Sequence, residues 1–159
     1  MLSFEDFSFK EYDSCTLCPK NCKVNRNKGE KGFCSETREL RLAWAGLHFG
    51  EEPPITGAGG SGTIFVTGCN LRCSFCQNYQ ISQEGMGRIV NLEEFVNLCF
   101  VLEKEGAENI NIVTGSHAIP AIALGLKEAK HRGLKIPVVW NSSAYETEEA
   151  ISLLSDCVD

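Results

Sequence analysis

Three cysteines carry the most specific chemical signal in this sequence of 159 residues. Cys69, Cys73 and Cys76 form a C-x3-C-x2-C motif directly after an apolar run at residues 63–67 (TIFVT). Three thiolates on one short loop can hold three irons of a [4Fe-4S] cluster and leave the fourth iron open to another ligand. An iron with a free coordination position indicates a catalytic cluster rather than one that only stores electrons. A zinc loop and reduced core thiols are the alternatives, and the spacing after a strand disfavours both.

A second group of cysteines lies nearer the N-terminus, in the arrangement C-x2-C-x3-C-x11-C. Its members are Cys15, Cys18, Cys22 and Cys34. Four thiolates suit either tetrahedral zinc or a second iron-sulfur cluster, and either would fold a segment that is short of apolar residues. The fourth thiol leaves no coordination position open. We therefore expect a structural or electron-transferring centre rather than a catalytic one.

The segment between Cys15 and Cys34 is basic within an acidic chain. It contains five Lys and Arg residues and one Glu, whereas the whole chain has a formal net charge of -6. A metal held by four thiolates is net negative, so these bases are interpreted first as offsetting that charge. Docking of a phosphate or of a partner is the alternative. Because the overall charge is negative, a nucleic-acid partner is not expected.

The cysteine count and the composition limit the class of protein. Nine cysteines are an odd number and the N-terminus has no secretory signal, so a disulfide framework explains them poorly. The longest nearly apolar run, residues 118–126, has about half of the roughly 20 residues that cross a bilayer. With 43% hydrophobic and 23% charged residues, the chain is expected to bury a core. We expect a cytoplasmic protein without a membrane partner.

Alternating strands and helices are expected after residue 40, where the composition changes. Residues 41–49 are expected to form a strand or an extended packing segment, and the three predicted strands that follow cover residues 63–67, 109–114 and 136–140. The predicted helices begin after Asn91, near Pro120 and at Thr147, and they end at Gly106, at Gly133 and beyond the last residue. The order βαβαβα implies an α/β fold with parallel strands, as a barrel or a doubly wound sheet.

Two regions are predicted from this pattern, residues 1–40 as a small Cys-rich metal-binding segment and residues 41–159 as the α/β part. Three parallel strands cannot close a barrel and would leave an edge of unpaired backbone groups. The chain is therefore expected to be a fragment, a split gene product or half of an assembly.

The cysteine loop resembles the signature of the radical S-adenosylmethionine (SAM) superfamily, in which an aromatic residue precedes the third cysteine as Phe75 does here. The resemblance covers about residues 62–159. Runs 48–55 (HFGEEPPI) and 62–69 (GTIFVTGC) also resemble proteins similar to the pyruvate formate-lyase activating enzymes. The resemblance implies that residues 41–159 form the N-terminal part of a radical SAM barrel, with about three βα units. It further implies a [4Fe-4S] cluster whose unique iron chelates SAM, and reductive cleavage of SAM to a 5′-deoxyadenosyl radical.

The same resemblance assigns roles to single residues of the cysteine loop. It makes Cys69, Cys73 and Cys76 the cluster ligands and places Phe75 near the adenine. Asn78 follows the third cysteine as an asparagine often does in the activating enzymes. The first three N-terminal cysteines have the spacing C-x2-C-x3-C, the reverse of C-x3-C-x2-C, and a fourth thiol follows them. Both differences argue against a second SAM site.

One departure from the superfamily concerns the SAM amino group. A Gly-Gly-Glu-Pro type segment commonly follows the second strand, whereas this chain has residues 114–117 (TGSH) there. Backbone carbonyls, the Ser116 hydroxyl or the His117 imidazole could accept that hydrogen bond instead. Asn141 and Ser142, just after the third strand, could hold the ribose or the carboxylate. The alternatives are a polar residue near a helix start for His117 and a plain loop for the other pair.

The leading hypothesis is a radical SAM enzyme of the activase-like branch that abstracts hydrogen from a protein glycine or another substrate. Its expected partners are an electron donor of flavodoxin or ferredoxin type, a protein substrate and a missing C-terminal half of the barrel. The alternatives are a non-catalytic module with two metal centres and a zinc protein whose basic knuckle binds nucleic acid. Because three parallel strands do not enclose the cavity in which cofactor and substrate would be held, we expect the chain alone to be a poor catalyst.

Overall fold

The computed structural model describes residues 3–159, so Met1 and Leu2 of the predicted segment 1–40 lie outside the described residues. The strands are β1 (Leu40–His48), β2 (Ser61–Val66), β3 (Arg88–Val90), β4 (Ile110–Val113) and β5 (Val138–Asn141). The α-helices are α1 (Pro53–Thr56), α2 (Tyr79–Ser82), α3 (Leu92–Lys104), α4 (Ile119–His131) and α5 (Glu148–Ser152). None of these helices combines the length and the apolar character that spanning a membrane requires.

The five strands of the described chain form a sheet in the order β3-β1-β2-β4-β5. β2, β4 and β5 are parallel neighbours, which confirms the parallel part of the predicted α/β fold. β1 runs antiparallel to both β2 and β3. The sequence assigns no direction to residues 41–49, and in the structure most of them form a strand antiparallel to β2. Residues 49–60 between β1 and β2 contain only the four-residue α1, which is too little for the helical crossover that a parallel pair needs.

Local sequence determines where helix α3 begins. The Asn91 side chain accepts the backbone N–H of Glu94 (2.8 Å), and the Glu94 carboxylate accepts the backbone N–H of Asn91 (2.8 Å). This capping box confirms the predicted helix start. The buried residues of α3 recur at helical spacing and face the core: Leu92, Phe95, Val96, Cys99 and Leu102.

Replacing Asn91 by alanine is expected to lower the free energy of unfolding by about 1 kcal/mol, because the variant loses the side-chain acceptor of the cap. Asn91→Ser keeps an acceptor and serves as the matched control, with an expected change of only a few tenths of a kcal/mol. Urea unfolding of both variants measures the difference. Equal stabilities for the two variants would contradict this role of the cap.

Helix α5 corrects the prediction for the last helix. Thr147 caps it by accepting the backbone N–H of Ala150 (3.3 Å), but the helix ends at Ser152 instead of continuing. The chain then turns back to the sheet, where the Asp159 carboxylate accepts the backbone N–H of Val138 (2.9 Å). A helix continued to Asp159 would carry this carboxylate away from the start of β5.

The N-terminal segment packs on the α/β part through a shared core. Its buried side chains belong to the same apolar cluster as those of the sheet and of α4: Phe4, Phe9, Tyr12 and Leu17. Near the other end of the chain, the backbone N–H of Thr147 donates to the Leu17 carbonyl (3.1 Å). β1 begins at Leu40, but the apolar residues on both sides share one core, so the division at residue 40 stays a prediction.

Candidate functional site

The cysteine loop follows β2 at the edge of the sheet where the parallel strands end. Cys69 is buried, whereas Cys73 and Cys76 are half-buried. The backbone N–H of Leu71 donates to Cys69 Sγ (3.4 Å), and Ser82 Oγ lies 3.2 Å from Cys76 Sγ. The thiolate is the form of cysteine that binds metal.

Three thiolates on one loop are a donor set that suits an iron-sulfur cluster. Neither here nor in the N-terminal cysteine group does the described chain, residues 3–159, gather three His, Cys, Asp or Glu side chains closely enough to hold one metal ion. In a [4Fe-4S] cluster each thiolate binds a different iron, so the cysteine sulfurs do not have to converge on a single metal ion. Thiolates are also the soft ligands that such clusters prefer. Three cysteines on this loop therefore fit the cluster and leave one of its irons without a protein ligand.

Two side chains outside the motif positions fix the backbone of the loop. Gln83 donates from Nε2 to the Cys73 carbonyl (3.0 Å). Asn70 is 1% exposed and donates from Nδ2 to the Tyr145 carbonyl (2.8 Å), in the segment after β5. The loop is therefore anchored both to the helical turn that follows it and to the end of the third parallel strand.

Gly68 is the point where the N-terminal segment meets the cysteine loop. Its φ is +86°, and a Cβ at this position would lie 2.6 Å from Glu36 Cγ and 2.9 Å from the Cys34 carbonyl oxygen. Beside it, Arg72 donates to Ser35 Oγ (2.7 Å). The residues around the fourth N-terminal cysteine therefore pack directly against the loop that carries the C-x3-C-x2-C motif.

The predicted cofactor residues after β4 are buried. Ser116 is 1% exposed and donates from Oγ to Glu146 Oε1 (2.6 Å). His117 is 4% exposed, and its Nε2 lies 2.7 Å from the Thr67 carbonyl. A carbonyl only accepts, so Nε2 carries the proton and Nδ1 is left without a partner among residues 3–159. Burial lowers the pKa of His117 to about 3, and the Arg26 cation acts in the same direction, so the imidazole is neutral.

The other predicted cofactor residues lie nearer the surface. Phe75 is 86% exposed on the cysteine loop, and Asn78 is exposed just before α2. Asn141 is the last residue of β5, and Ser142 Oγ accepts the backbone N–H of Ala144 (2.9 Å). Strand order therefore brings the residues after β4 and β5 to the edge that bears the loop, while Phe75 and Asn78 face solvent. Their roles toward SAM stay predictions.

Glu146 is a residue of this edge that the sequence did not single out. Its Oε1 accepts hydrogen bonds from Ser116 Oγ (2.6 Å) and from Trp140 Nε1 (3.3 Å). An acid just before a helix start is usual on a solvent-exposed surface, so the sequence contains no signal that distinguishes this one. Only the pairing of β4 with β5 brings it to Ser116.

The four N-terminal thiols lie within residues 15–34. Cys22 Sγ accepts the backbone N–H of Phe33 (3.3 Å). The sulfurs of Cys22 and Cys34 lie 3.6 and 3.7 Å from the position that a Cβ on Gly32 would occupy. Burial raises the pKa of the Cys34 thiol, and the Arg26 cation opposes that rise. Two of the four sulfurs therefore both lie beside Gly32.

Arg26 is fully buried beside these thiols, although the sequence marked it only as one base among five. Its guanidinium donates to the carbonyls of Thr37 and His117, lies 4.2 Å from the centroid of the Tyr12 ring, and is 4.0 Å from Cys15 Sγ. Within residues 3–159 it forms no ion pair with a carboxylate. A buried cation without an anion is strongly unfavourable, so this position favours a negative charge beside Arg26.

Comparison with known proteins gives one family and one relative. The family model of the Radical SAM superfamily matches residues 63–159. A protein of Methanocaldococcus jannaschii that is described as uncharacterized is 35% identical, over 93% of this chain and 44% of that protein. The chain therefore spans less than half the length of this relative. No solved structure matches the chain.

Proposed function

The chain belongs to the radical SAM superfamily, and we propose that it is part of an enzyme that cleaves SAM reductively at a [4Fe-4S] cluster held by Cys69, Cys73 and Cys76. The observation that carries the proposal is the place of these thiols, on one loop at the edge where β2, β4 and β5 end. Held by these three thiolates, a reduced cluster would supply the electron for the reductive cleavage of SAM.

The chain's own residues prepare this site in two ways. Cys69 is buried away from bulk water, and the N–H of Leu71 donates a hydrogen bond to its sulfur. Gln83 and Asn70 fix the backbone of the loop that carries the three sulfurs. Preorganisation of this kind lowers the reorganisation that binding would otherwise require.

The test is anaerobic reconstitution of the chain with iron and sulfide, followed by a strong reductant and SAM. We expect a [4Fe-4S] absorption spectrum, a change in the spectrum of the reduced cluster when SAM is added, and formation of methionine and 5′-deoxyadenosine. A reconstituted cluster that neither responds to SAM nor cleaves it would favour a non-catalytic electron-transfer module.

We further propose that the reaction resembles that of the activating enzymes, with hydrogen abstraction from a protein glycine or another substrate. Support comes only from the runs 48–55 and 62–69 and from Asn78 after the third cysteine. The electron would come from a flavodoxin- or ferredoxin-type donor, in the cytoplasm. Deuterium transfer from labelled candidate substrates into 5′-deoxyadenosine identifies the hydrogen donor.

A second metal centre is proposed at Cys15, Cys18, Cys22 and Cys34, as zinc or as an iron-sulfur cluster. Its support is the all-thiol donor set, the backbone N–H directed at Cys22 Sγ, and the buried Arg26 cation that lacks a carboxylate. A four-thiolate centre carries the negative charge that this cation requires. Since residues 34–36 contact the cysteine loop, the centre would lie beside the cluster.

Replacing Cys18 by alanine is expected to remove the N-terminal metal and to loosen residues 3–40, because one of four ligands is lost. SAM binding at the other cluster should remain detectable. Metal content and hydrogen exchange along the chain measure both effects. Cys99→Ala is the matched control, since Cys99 is buried in the core and belongs to neither group. Unchanged metal content in Cys18→Ala would contradict the assignment.

We also propose that additional strands complete the site, from the same or another polypeptide. Within residues 3–159, β5 pairs only with β4, so its outer edge is free. The relative from Methanocaldococcus jannaschii is more than twice as long as the region it shares with this chain. Residues 1–159 supplied with the additional strands should therefore couple SAM cleavage to hydrogen abstraction from the substrate better than residues 1–159 alone. Equal coupled turnover by both would contradict the proposal.

A further inference from the structure

The N-terminal segment presents positive charge that has no acid beside it. Four bases between Cys15 and Cys34 are exposed and form no ion pair within residues 3–159: Lys20, Lys23, Lys28 and Lys31. The single acid of this stretch, Glu30, accepts the backbone N–H of Asn25 through Oε2 (2.7 Å). The stretch is therefore a basic surface on a chain whose formal net charge is -6.

Two cations of this surface converge on an exposed aromatic ring. Phe33 is 43% exposed, Lys20 Nζ lies 4.0 Å from the centroid of its ring, and the Arg72 guanidinium lies 5.8 Å from the same centroid. Lys31 is exposed two residues before Phe33. We call Lys20, Lys31, Phe33 and Arg72 the basic patch.

The basic patch is continuous with the cysteine loop. Arg72 stands between Cys69 and Cys73 in the sequence. Its guanidinium donates to Ser35 Oγ (2.7 Å) and to the Phe33 carbonyl (3.3 Å). A molecule that is seated on the patch therefore contacts the loop that carries the three proposed cluster ligands.

The lysines are not direct partners of the N-terminal thiols. Within residues 3–159, the base that is hydrogen-bonded to a thiol is Arg26, which lies 4.0 Å from Cys15 Sγ. Lys20 Nζ lies instead near two aromatic rings, 4.0 Å from the centroid of Phe33 and 5.9 Å from that of Tyr145. Direct contact with thiolate charge is thus made by Arg26, and the exposed lysines are available to a partner.

This position suits the delivery of an electron. The proposed cleavage of SAM consumes one electron, which a carrier protein must bring to the cluster from outside the chain. The carrier loses one electron and the oxidised cluster gains it, and no bond forms or breaks between the two proteins. Weak, small interfaces are typical of such electron-transfer encounters, so a patch of this size is sufficient.

Charge and ring chemistry indicate the kind of carrier. Exposed cations attract an acidic surface and speed its association. Aromatic and arginine side chains, as in Phe33 and Arg72, are enriched in protein–protein interfaces. An exposed aromatic ring also favours a carrier whose redox group is a planar flavin, because offset-stacked rings attract each other. An acidic protein of flavodoxin type meets these requirements.

We infer that the basic patch docks an acidic flavodoxin-type protein, which delivers the electron for the cluster from the N-terminal side of the cysteine loop. This role rests on the proposed function, because the electron is needed only if SAM is cleaved. It gives the N-terminal lysines a function toward a protein partner rather than toward a metal.

The test compares the charge reversal Lys20→Glu with Lys31→Glu, made together, with the unmodified chain, both loaded with the cluster under anaerobic conditions. The probe is an acidic flavodoxin, and titration of its flavin fluorescence gives the dissociation constant. At about 20 mM salt we expect binding to weaken about tenfold or more, and at about 500 mM salt the difference should fall below about twofold, because salt screens exposed charges. Lys104→Glu with Lys135→Glu is the matched control, since both lysines are exposed and unpaired within residues 3–159 but lie near the opposite edge of the sheet. The control should bind flavodoxin as the unmodified chain does.

A second measurement follows 5′-deoxyadenosine formation with two reductants, reduced flavodoxin and dithionite. Dithionite is a small reductant that needs no docking surface. We expect the patch variant to form product about tenfold more slowly with flavodoxin and at an unchanged rate with dithionite. An equal loss with both reductants would assign the patch a structural role only and overturn the inference.

The remaining outcomes separate the docking from the proposed function. Unchanged flavodoxin binding in the patch variant, or binding of a single-stranded RNA that the variant loses while it keeps flavodoxin, would overturn the inference. Patch-dependent flavodoxin binding by a chain that cleaves no SAM with dithionite would support the docking and overturn the proposed function. Should the patch variant fail to load iron, carbodiimide coupling of the unmodified chain to flavodoxin provides the test. Cross-links at Lys20 or Lys31 are expected, and cross-links only at Lys104 or Lys135 would overturn the inference.

Discussion

Simultaneous replacement of Cys69, Cys73 and Cys76 by alanine is expected to abolish SAM cleavage and the change that SAM causes in the spectrum of the reduced cluster. No other cysteine at this edge could replace them as cluster ligands, since within residues 3–159 the remaining cysteines lie in the N-terminal group or in the core. Without three thiolates the irons are not held. Iron and sulfide content, visible absorption and the yield of 5′-deoxyadenosine measure the loss.

The control for this variant replaces Cys99 and Cys157, which are fully buried and belong to neither group. Burial raises the pKa of Cys99 to about 12, so its thiol stays protonated and should not bind metal. The control should retain both the cluster and SAM cleavage. A triple variant that kept the same iron, sulfide and response to SAM would refute the ligand assignment.

Replacing Gly68 by alanine is expected to lower the free energy of unfolding by about 2–4 kcal/mol and to separate the N-terminal segment from the cysteine loop. An alanine Cβ would meet Glu36 Cγ at 2.6 Å and the Cys34 carbonyl at 2.9 Å, and the backbone φ of +86° is unfavourable for any residue with a Cβ. Urea unfolding measures the stability. Hydrogen exchange at residues 34–36 reports the separation.

Gly85→Ala separates the two contributions to this loss. Gly85 also has a positive φ, +76°, but a Cβ there would meet nothing within 4 Å. It should therefore lose only the backbone contribution, about 1–2 kcal/mol, and leave hydrogen exchange at residues 34–36 unchanged. If Gly68→Ala were no more destabilised than Gly85→Ala, the close packing of the two segments would not be what requires glycine at position 68.

The elements that the sequence predicted best depend on neighbours in sequence. Helix α3 begins where Asn91 and Glu94 have the spacing of a capping box, and both hydrogen bonds form. The β-branched run at residues 63–67 likewise lies in β2 and the residues that follow it. Strand direction depends instead on the connection and on the pairing partner, so the antiparallel direction of β1 could not be predicted from its own residues. β3 has three residues, too few for a periodic pattern.

The site residues, too, were predictable where their role depends on neighbours in sequence and not where it depends on distant partners. Both cysteine groups were identified because metal chemistry depends on spacing within a few residues. Glu146 and Arg26 were not identified, because their roles come from partners 30 and 91 residues away in sequence, Ser116 and the His117 carbonyl. Nothing near either residue distinguishes it from an ordinary surface charge.

The hydrogen bonds of Leu17 with Thr147 set an order of events during protein synthesis. The two residues are 130 positions apart, and ribosomes add about 5–20 residues per second, so about 7–26 s separate their synthesis. The N-terminal thiols are thus synthesised first, but the contact of their segment with Thr147 can form only after the last parallel strand and the start of α5 have been synthesised. During that interval the nascent thiols are open to oxidants and to metal donors alike. Efficient production of this protein should therefore depend on reducing conditions and available metal while translation is still in progress.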